Sequence, residues 1–313
     1  MSSSPQNTPK HSAAKLGLIA GIFTYVVWGS YPIYFKNITQ VPALEILAHR
    51  IVWSVPFGAL IIALRGQWGA VFAAFRHSKT CRALIAASLF IAFNWGVYIW
   101  AVNNDHLLDA SLGYFINPLF SVALGVIFLG ERLRKWQILA VTLAIIGVLI
   151  QLIYIGSLPI ISLALAGTFG IYGLLRKKLP IDSFIGLLVE SALMLPIALI
   201  YWQFFVSSET SNMLNNAMSL NVTLLFAGIV TTAPLLCFTA AAKRLTLSTV
   251  GFFQYIGPSI MFILATVYYQ EILVVEKLIT FAFIWTALLI YSFDSFKAHK
   301  QKKRLRALEE AKV

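Results

Sequence analysis

The chain has 313 residues, of which 59% are hydrophobic and only 12% charged, with a formal net charge of +12. Soluble chains average about 25% charged residues, so this composition excludes an ordinary water-soluble core and calls for a bilayer as solvent. The positive excess does not indicate nucleic acid, because the cations form short clusters between long apolar runs, not one continuous face.

In chain order, the opening MSSSPQNTPK has the composition of a disordered tail. A membrane-spanning helix needs about 20 mostly apolar residues. Ten runs qualify, near 16–36, 44–64, 83–102, 109–129, 136–155, 158–175, 183–205, 220–242, 246–269 and 277–295. The first follows Lys10 and Lys15. It is longer than the roughly 7–15 apolar residues of a signal peptide and lacks a small-residue cleavage site, so it is expected to be a retained helix. The loops near 65–82, 130–135, 176–182 and 243–244, together with both tails, hold every Lys and Arg except Lys36, Arg50 and Lys277. That bias predicts both termini in the cytoplasm of a multi-pass inner-membrane protein. The basic tail, residues 296–313, is expected to be soluble, with a helix lying on anionic headgroups as the alternative.

Cys81 and Cys237 fit no zinc or redox spacing, so no disulfide, metal or cofactor is expected. HExxH, GxSxG, P-loop and cysteine-cluster motifs are all missing, which argues against an enzyme and against direct use of ATP.

The two halves align without gaps at an offset of 140 residues. Pro56 falls on Pro196, Pro118 on Pro258, Glu131 on Glu271 and Leu133 on Leu273, while Lys36 meets Arg176. Five helices per repeat is an odd number, so the second half must be inverted. The fold class is therefore an all-α membrane protein of ten transmembrane helices in two inverted five-helix repeats, residues 16–155 and 156–295. That architecture serves secondary transporters, whose two halves exchange conformations.

SLGYFINPLFSVALGVIFLGERL, from Ser111 to Leu133, resembles the end of an EamA repeat of the drug/metabolite transporter superfamily. Its second copy, Gly251 to Leu273, keeps the proline and glutamate but loses the Gly-Glu pair. VPALEILAHRIVWS (Val41 to Ser54), IWAVNN (Ile99 to Asn104) and FFQYIGP (Phe252 to Pro258) are similar to the RarD branch of that family. The resemblance covers nearly all of the chain outside the tails. It implies a ten-helix bacterial permease for small metabolites or drugs.

Charges at bilayer depth are costly and mark functional candidates. The uncharged run Ile51 to Leu64 spans only roughly 21 Å, so the second helix must continue back through Arg50, His49 and perhaps Glu45. Arg50 is expected to face a polar cavity; pairing with Glu45 or contact with headgroups is the alternative. Glu190 holds the equivalent place in the seventh helix. The two differ in depth by about 12 Å, which predicts no direct contact and one charge near each mouth of a pathway. Glu190 is also a candidate for proton coupling, against a purely structural role, and Glu45 with His49 is a second candidate pair.

Pro118 and Pro258 are expected to interrupt the fourth and ninth helices, freeing the carbonyls of Tyr114 and Gln254. Asn117, Gln254 and Tyr255, with Asn94, Trp95 and Tyr98 on the third helix, are cavity-lining candidates or interhelical packing groups. Gly17 with Gly21, and Ala166 with Gly170, are expected to be close-packing pairs. Glu131 and Glu271 are expected to cap the following turn or pair locally. The expected partners are a small-molecule substrate and the bilayer. A non-transporting membrane sensor or assembly protein is the competing class.

Overall fold

The computed structural model describes residues 10–38, 40–103, 107–155, 160–268 and 275–310. Its helices are α1 (Lys10–Gly29), α2 (Tyr31–Phe35), α3 (Ala43–Leu64), α4 (Trp68–Arg76), α5 (Ser78–Asn103), α6 (Leu107–Leu129) and α7 (Lys135–Ile155), followed by α8 (Ile160–Lys178), α9 (Ser183–Phe204), α10 (Met218–Arg244), α11 (Leu247–Gln254), α12 (Ile256–Ile263) and α13 (Val275–Glu310). Among the described residues, eight helical stretches are long and apolar enough to cross a membrane, and α1 and α6 contribute shorter apolar segments. All ten expected spans are therefore helical in their described residues, apart from the break in the ninth. Large apolar side chains such as Leu89, Ile127, Ile153 and Leu289 point outward and are more than half exposed, which suits lipid and not water.

Helix pairing follows a two-fold pattern. α3 packs on α9, α6 on α11 and α7 on α13. The α1–α10 pair is mirrored by α5–α8, and α3–α10 by α5–α9. With the offset of 140, each contact maps onto its counterpart or onto itself. The first span and α10 run antiparallel: Gly17 meets Arg244 and Leu245, while Tyr34 donates to the Thr223 carbonyl at 2.7 Å.

The basic loops converge on one face. Arg65 lies 3.9 Å from Asp182, and Arg134 2.6 Å from Asp294. Lys177 donates to the carbonyls of Ala242 (2.8 Å) and Leu245, closing the C-terminus of α10.

The stretch 65–82, expected as a loop, contains α4. Val71 and Ala74 of α4 are buried against Leu179, Ile185 and Leu188, whereas Trp68, Phe72 and Phe75 are exposed. Such an amphipathic segment beside basic residues is suited to the lipid–water interface. The C-terminal tail continues α13 as helix to Glu310. Residues 1–9, where the disordered tail is expected, and Glu271 lie outside the described residues.

The two prolines act differently. α6 runs through Pro118 as one helix. The ninth span breaks at Tyr255 between α11 and α12, where Pro258 cannot donate to the Gln254 carbonyl. The expectation of two interrupted helices thus holds in form only for the ninth. A helix can absorb one missing bond by bending, without losing its neighbouring bonds.

A third proline, Pro234, lies inside α10 and frees the carbonyl of Val230. The Tyr31 hydroxyl donates to that carbonyl at 2.8 Å, so the freed group is satisfied from the first span.

Candidate functional site

α3 and α5 of the first half and α9 and α10 of the second enclose a void between them. Arg50, Ser54, Trp95, Glu190, Ser191, Thr231 and Thr232 supply its polar lining. Ile51, Ile91, Leu187, Met194 and Leu235 supply the apolar part. A second void, sharing Ser54, Leu187, Ser191 and Thr232, continues past Gly58 and Ile61 to Phe184. The track thus leads from Arg50 toward the basic face, where Arg65 sits 4.5 Å over the Phe184 ring. The first void has room for little more than a water molecule, so this is an occluded arrangement.

Three charges govern the site. Arg50 is half-buried; its Nε donates to Thr231 Oγ1 at 2.7 Å, and its guanidinium lies 4.9 Å from the Trp95 ring centroid. The phenols of Tyr31, Tyr34, Tyr98 and Tyr114 are within its electrostatic reach. Glu190 is buried and accepts from Arg176 Nη1 at 3.1 Å and from the Tyr172 hydroxyl at 3.2 Å. Arg176 also donates from Nη2 to the Ser183 carbonyl at 3.1 Å.

The sequence places Arg176 among the cations of the loop 176–182. It is instead fully buried, because α8 continues to Lys178 and turns this position inward against α9. Gly186 makes the space: a Cβ there would overlap the guanidinium. The expectation that Arg50 and Glu190 each guard a separate mouth gives way to one shared void. α3 packs against α9, and both side chains reach the same void. No contact between the two charges is present.

The other candidates fall into separate groups. Glu45 is buried and accepts from Ser208 Oγ and from Thr210 Oγ1 (2.9 Å), tying the segment after α9 to the start of α3. His49 lies 3.9 Å from Glu45, beyond hydrogen-bond distance, and its Nδ1 accepts from Trp53 Nε1 at 3.1 Å. Its ring packs 4.3 Å from that of Trp202. This cluster lies toward the N-terminal end of α3, on the other side of Arg50 from the basic face.

Asn94 joins α5 to α8, donating to the Leu165 carbonyl (2.8 Å) and Thr168 Oγ1 (2.9 Å). Gln254 donates to Ser121 Oγ at 3.2 Å, and Tyr255 to the Phe115 carbonyl at 3.2 Å, both across the α6–α11 contact. Tyr98 packs edge-on to Tyr114, with centroids 6.2 Å apart. Asn117 Oδ1 is buried without a hydrogen-bond partner among the described residues. Of the predicted residues, only Arg50, Trp95 and Glu190 line the void.

Glu131 does not serve the turn that follows it. Its carboxylate accepts from the amides of Leu247 (2.6 Å) and Ser248 (2.9 Å) and from Ser248 Oγ (2.7 Å), capping α11 in the other half. Gly130, at φ +63°, ends α6, and the Glu131 amide donates back to the Gly125 carbonyl at 3.1 Å. The Gly-Glu pair is therefore a turn that aims a carboxylate.

Sequence reasoning missed Arg176, Tyr172, Ser54, Ser191, Thr231 and Thr232. Arg176 was concealed by its neighbours Lys177 and Lys178. The Thr231–Thr232 pair before Pro234 was a readable polar interruption of an apolar run.

The EamA-like transporter family matches residues 15–153. An uncharacterized transporter of Vibrio cholerae is 52% identical over 299 residues, 96% of this chain and 99% of the relative. Protein RarD of Escherichia coli is 50% identical over 288 residues, 92% of this chain and 97% of its own length. A solved crystal structure, 16% identical, superposes with a TM-score of 0.68 over 92% of this chain and 99% of that one, which shows a shared fold.

Proposed function

We propose that this chain, which belongs to the EamA-like transporter family and to its RarD branch, is a permease that moves a small organic solute across the bacterial inner membrane by alternating access. Its relatives are bacterial transporters, and its apolar helices make it a multi-pass membrane protein. The observation that carries the proposal is the charged, hydroxyl-lined void where α3 and α5 of the first half meet α9 and α10 of the second.

The working units are the repeats 16–155 and 156–295, flanked by the tails 1–15 and 296–313. The basic face is cytoplasmic by the placement of Lys and Arg. The Arg176–Glu190 pair closes the inner side of the void, and the Glu45–Ser208–Thr210 cluster its outer side. Separating one closure while the other holds gives the two accessible states that an inverted repeat can exchange. Net movement outward makes the chain an exporter.

Glu190 carries proton coupling only if its bond to Arg176 parts during the cycle. Transport by Glu190→Gln over a pH series decides this: unchanged rate and unchanged pH dependence remove the role.

The test of transport has two arms. Metabolites released by a deletion strain are compared with those released by an overexpressing strain, and solutes that differ are offered to proteoliposomes containing the purified chain. At least one solute is expected to differ and to enter the vesicles. If none does, the permease assignment fails.

A further inference from the structure

Arg50 and Glu190 line the central void, and Arg176 of α8 reaches Glu190 from outside its lining. Arg176 is matched by Glu190. Arg50 has no carboxylate within ion-pair distance among the described residues, and Glu45, on its own helix, is engaged by Ser208 and Thr210. The site therefore carries one uncompensated positive charge. An unpaired charge that is partly withdrawn from water is costly, and proteins resolve that cost with a counter-ion.

The guanidinium is held for a purpose beyond its own packing. Thr231 takes its Nε proton and itself donates to the Ala227 carbonyl at 2.7 Å, so the hydroxyl is fixed. Trp95 covers one face of the guanidinium. Nη1 and Nη2 donate to nothing among the described residues. That free edge has the planar two-donor geometry that matches a carboxylate. Thr232, 3% exposed, lines the same void, and its hydroxyl has no partner among the described residues. Ile51, Ile91, Leu187, Met194 and Leu235 form the remaining wall.

We infer that Arg50 receives the carboxylate of a small organic monoanion, with Thr232 as a second polar contact and the solute's apolar body against Trp95, Ile91 and Met194. One net positive charge matches one negative charge. A dianion such as phosphate would overcompensate it and would meet an apolar wall that offers its remaining oxygens nothing. The solute enters when α3, α9 and α10 part, since the closed void is of water size. This assignment rests on the permease reading of the same cavity and adds the charge class of the cargo.

The experiment uses the full chain in lipid nanodiscs and four probes: phenylacetate, phenylacetamide, phenethylamine and inorganic phosphate. The first three share a ring and chain length and differ in the terminal group. Thermal unfolding is followed against the concentration of each. Phenylacetate is expected to raise the midpoint saturably, and the other three are not. Loss of a charge-assisted contact in Arg50→Gln is expected to weaken phenylacetate by about 10- to 100-fold, with partial recovery in Arg50→Lys and a few-fold loss in Thr232→Val. Equal stabilisation by the amide or the amine overturns the inference in the wild-type chain, without any variant. So does phenylacetate affinity unchanged in Arg50→Gln. Flux from the same preparation separates the two readings. Carboxylate binding without movement of any solute sinks the permease, and movement of amines or neutral solutes without carboxylate binding sinks the anion site.

Discussion

Arg176 Nη1 donates to Glu190 Oε1 at 3.1 Å, and neither side chain is more than 1% exposed. This bond bears on the charge of the central void, because it engages the only carboxylate that lines it among the described residues. It also bridges α8 and α9 beside the inner end of the track, so breaking it affects stability and closure together.

Removing one partner of a buried pair leaves the other charge stranded. Arg176→Met is expected to destabilise the chain by about 3–5 kcal/mol, and Arg176→Met with Glu190→Leu to recover most of that loss. Gly186→Ala is expected to resemble a mild Arg176→Met, since its Cβ would overlap the guanidinium. Unfolding in nanodiscs measures all three. Independent, additive effects of Arg176→Met and Glu190→Leu would mean that the pair is not the unit described.

How much of this was legible in the sequence depends on the kind of signal. Ten apolar runs and one-sided cations are long-range statistics that survive local error, and they gave the helices. The offset between Pro118 and Pro258 gave the inverted repeat. Arg50 was legible because a charge inside a short apolar run has to be housed. The partner of Glu190 was not, since the sequence shows that a cation is close to a membrane end but not which way α8 turns it. Glu131 was misassigned for a related reason. Its acceptors and donors lie more than a hundred residues apart, and only the packing of α6 against α11 brings them together. Residues 65–82 carried many cations, which masked the apolar face of α4.

The Tyr31–Val230 bond exists because Pro234 has no amide proton to give. Tyr31→Phe is expected to cost about 1–3 kcal/mol by stranding a buried carbonyl. Pro234→Ala in that background restores a helical donor to Val230 and should recover part of the loss. The double-mutant cycle is the measurement, and a coupling energy near zero would show that the hydroxyl does not serve the freed carbonyl.

Glu131 holds the first turn of α11. Glu131→Ala removes the acceptor of two backbone amides and is expected to cost about 0.5–2 kcal/mol. Hydrogen exchange should quicken at Leu247 and Ser248 before it does elsewhere in α11. Gly130→Ala should have a related effect by a different route, since φ +63° costs an L-residue about 1–2 kcal/mol. Unchanged exchange at Leu247 in both variants would exclude the capping role.

At Gly228 the backbone of α10 comes close to that of α3. A Cβ there would lie 2.6 Å from the Trp53 carbonyl oxygen, and that backbone cannot rotate away as a side chain tip can. Gly228→Ala is therefore expected to push α10 outward at a cost of about 1–3 kcal/mol. The shift should also draw Thr231 away from Arg50, since Thr231 follows on the same helix, and so loosen the guanidinium. Gly69, inside α4, supplies the control: a Cβ there meets nothing within 4 Å. Gly69→Ala should gain roughly 0.5–1 kcal/mol from helix propensity alone. Opposite signs in the two unfolding measurements are the expected outcome. A neutral Gly228→Ala would show that α3 and α10 are not held at contact distance, and the enclosure of the void would fail with them.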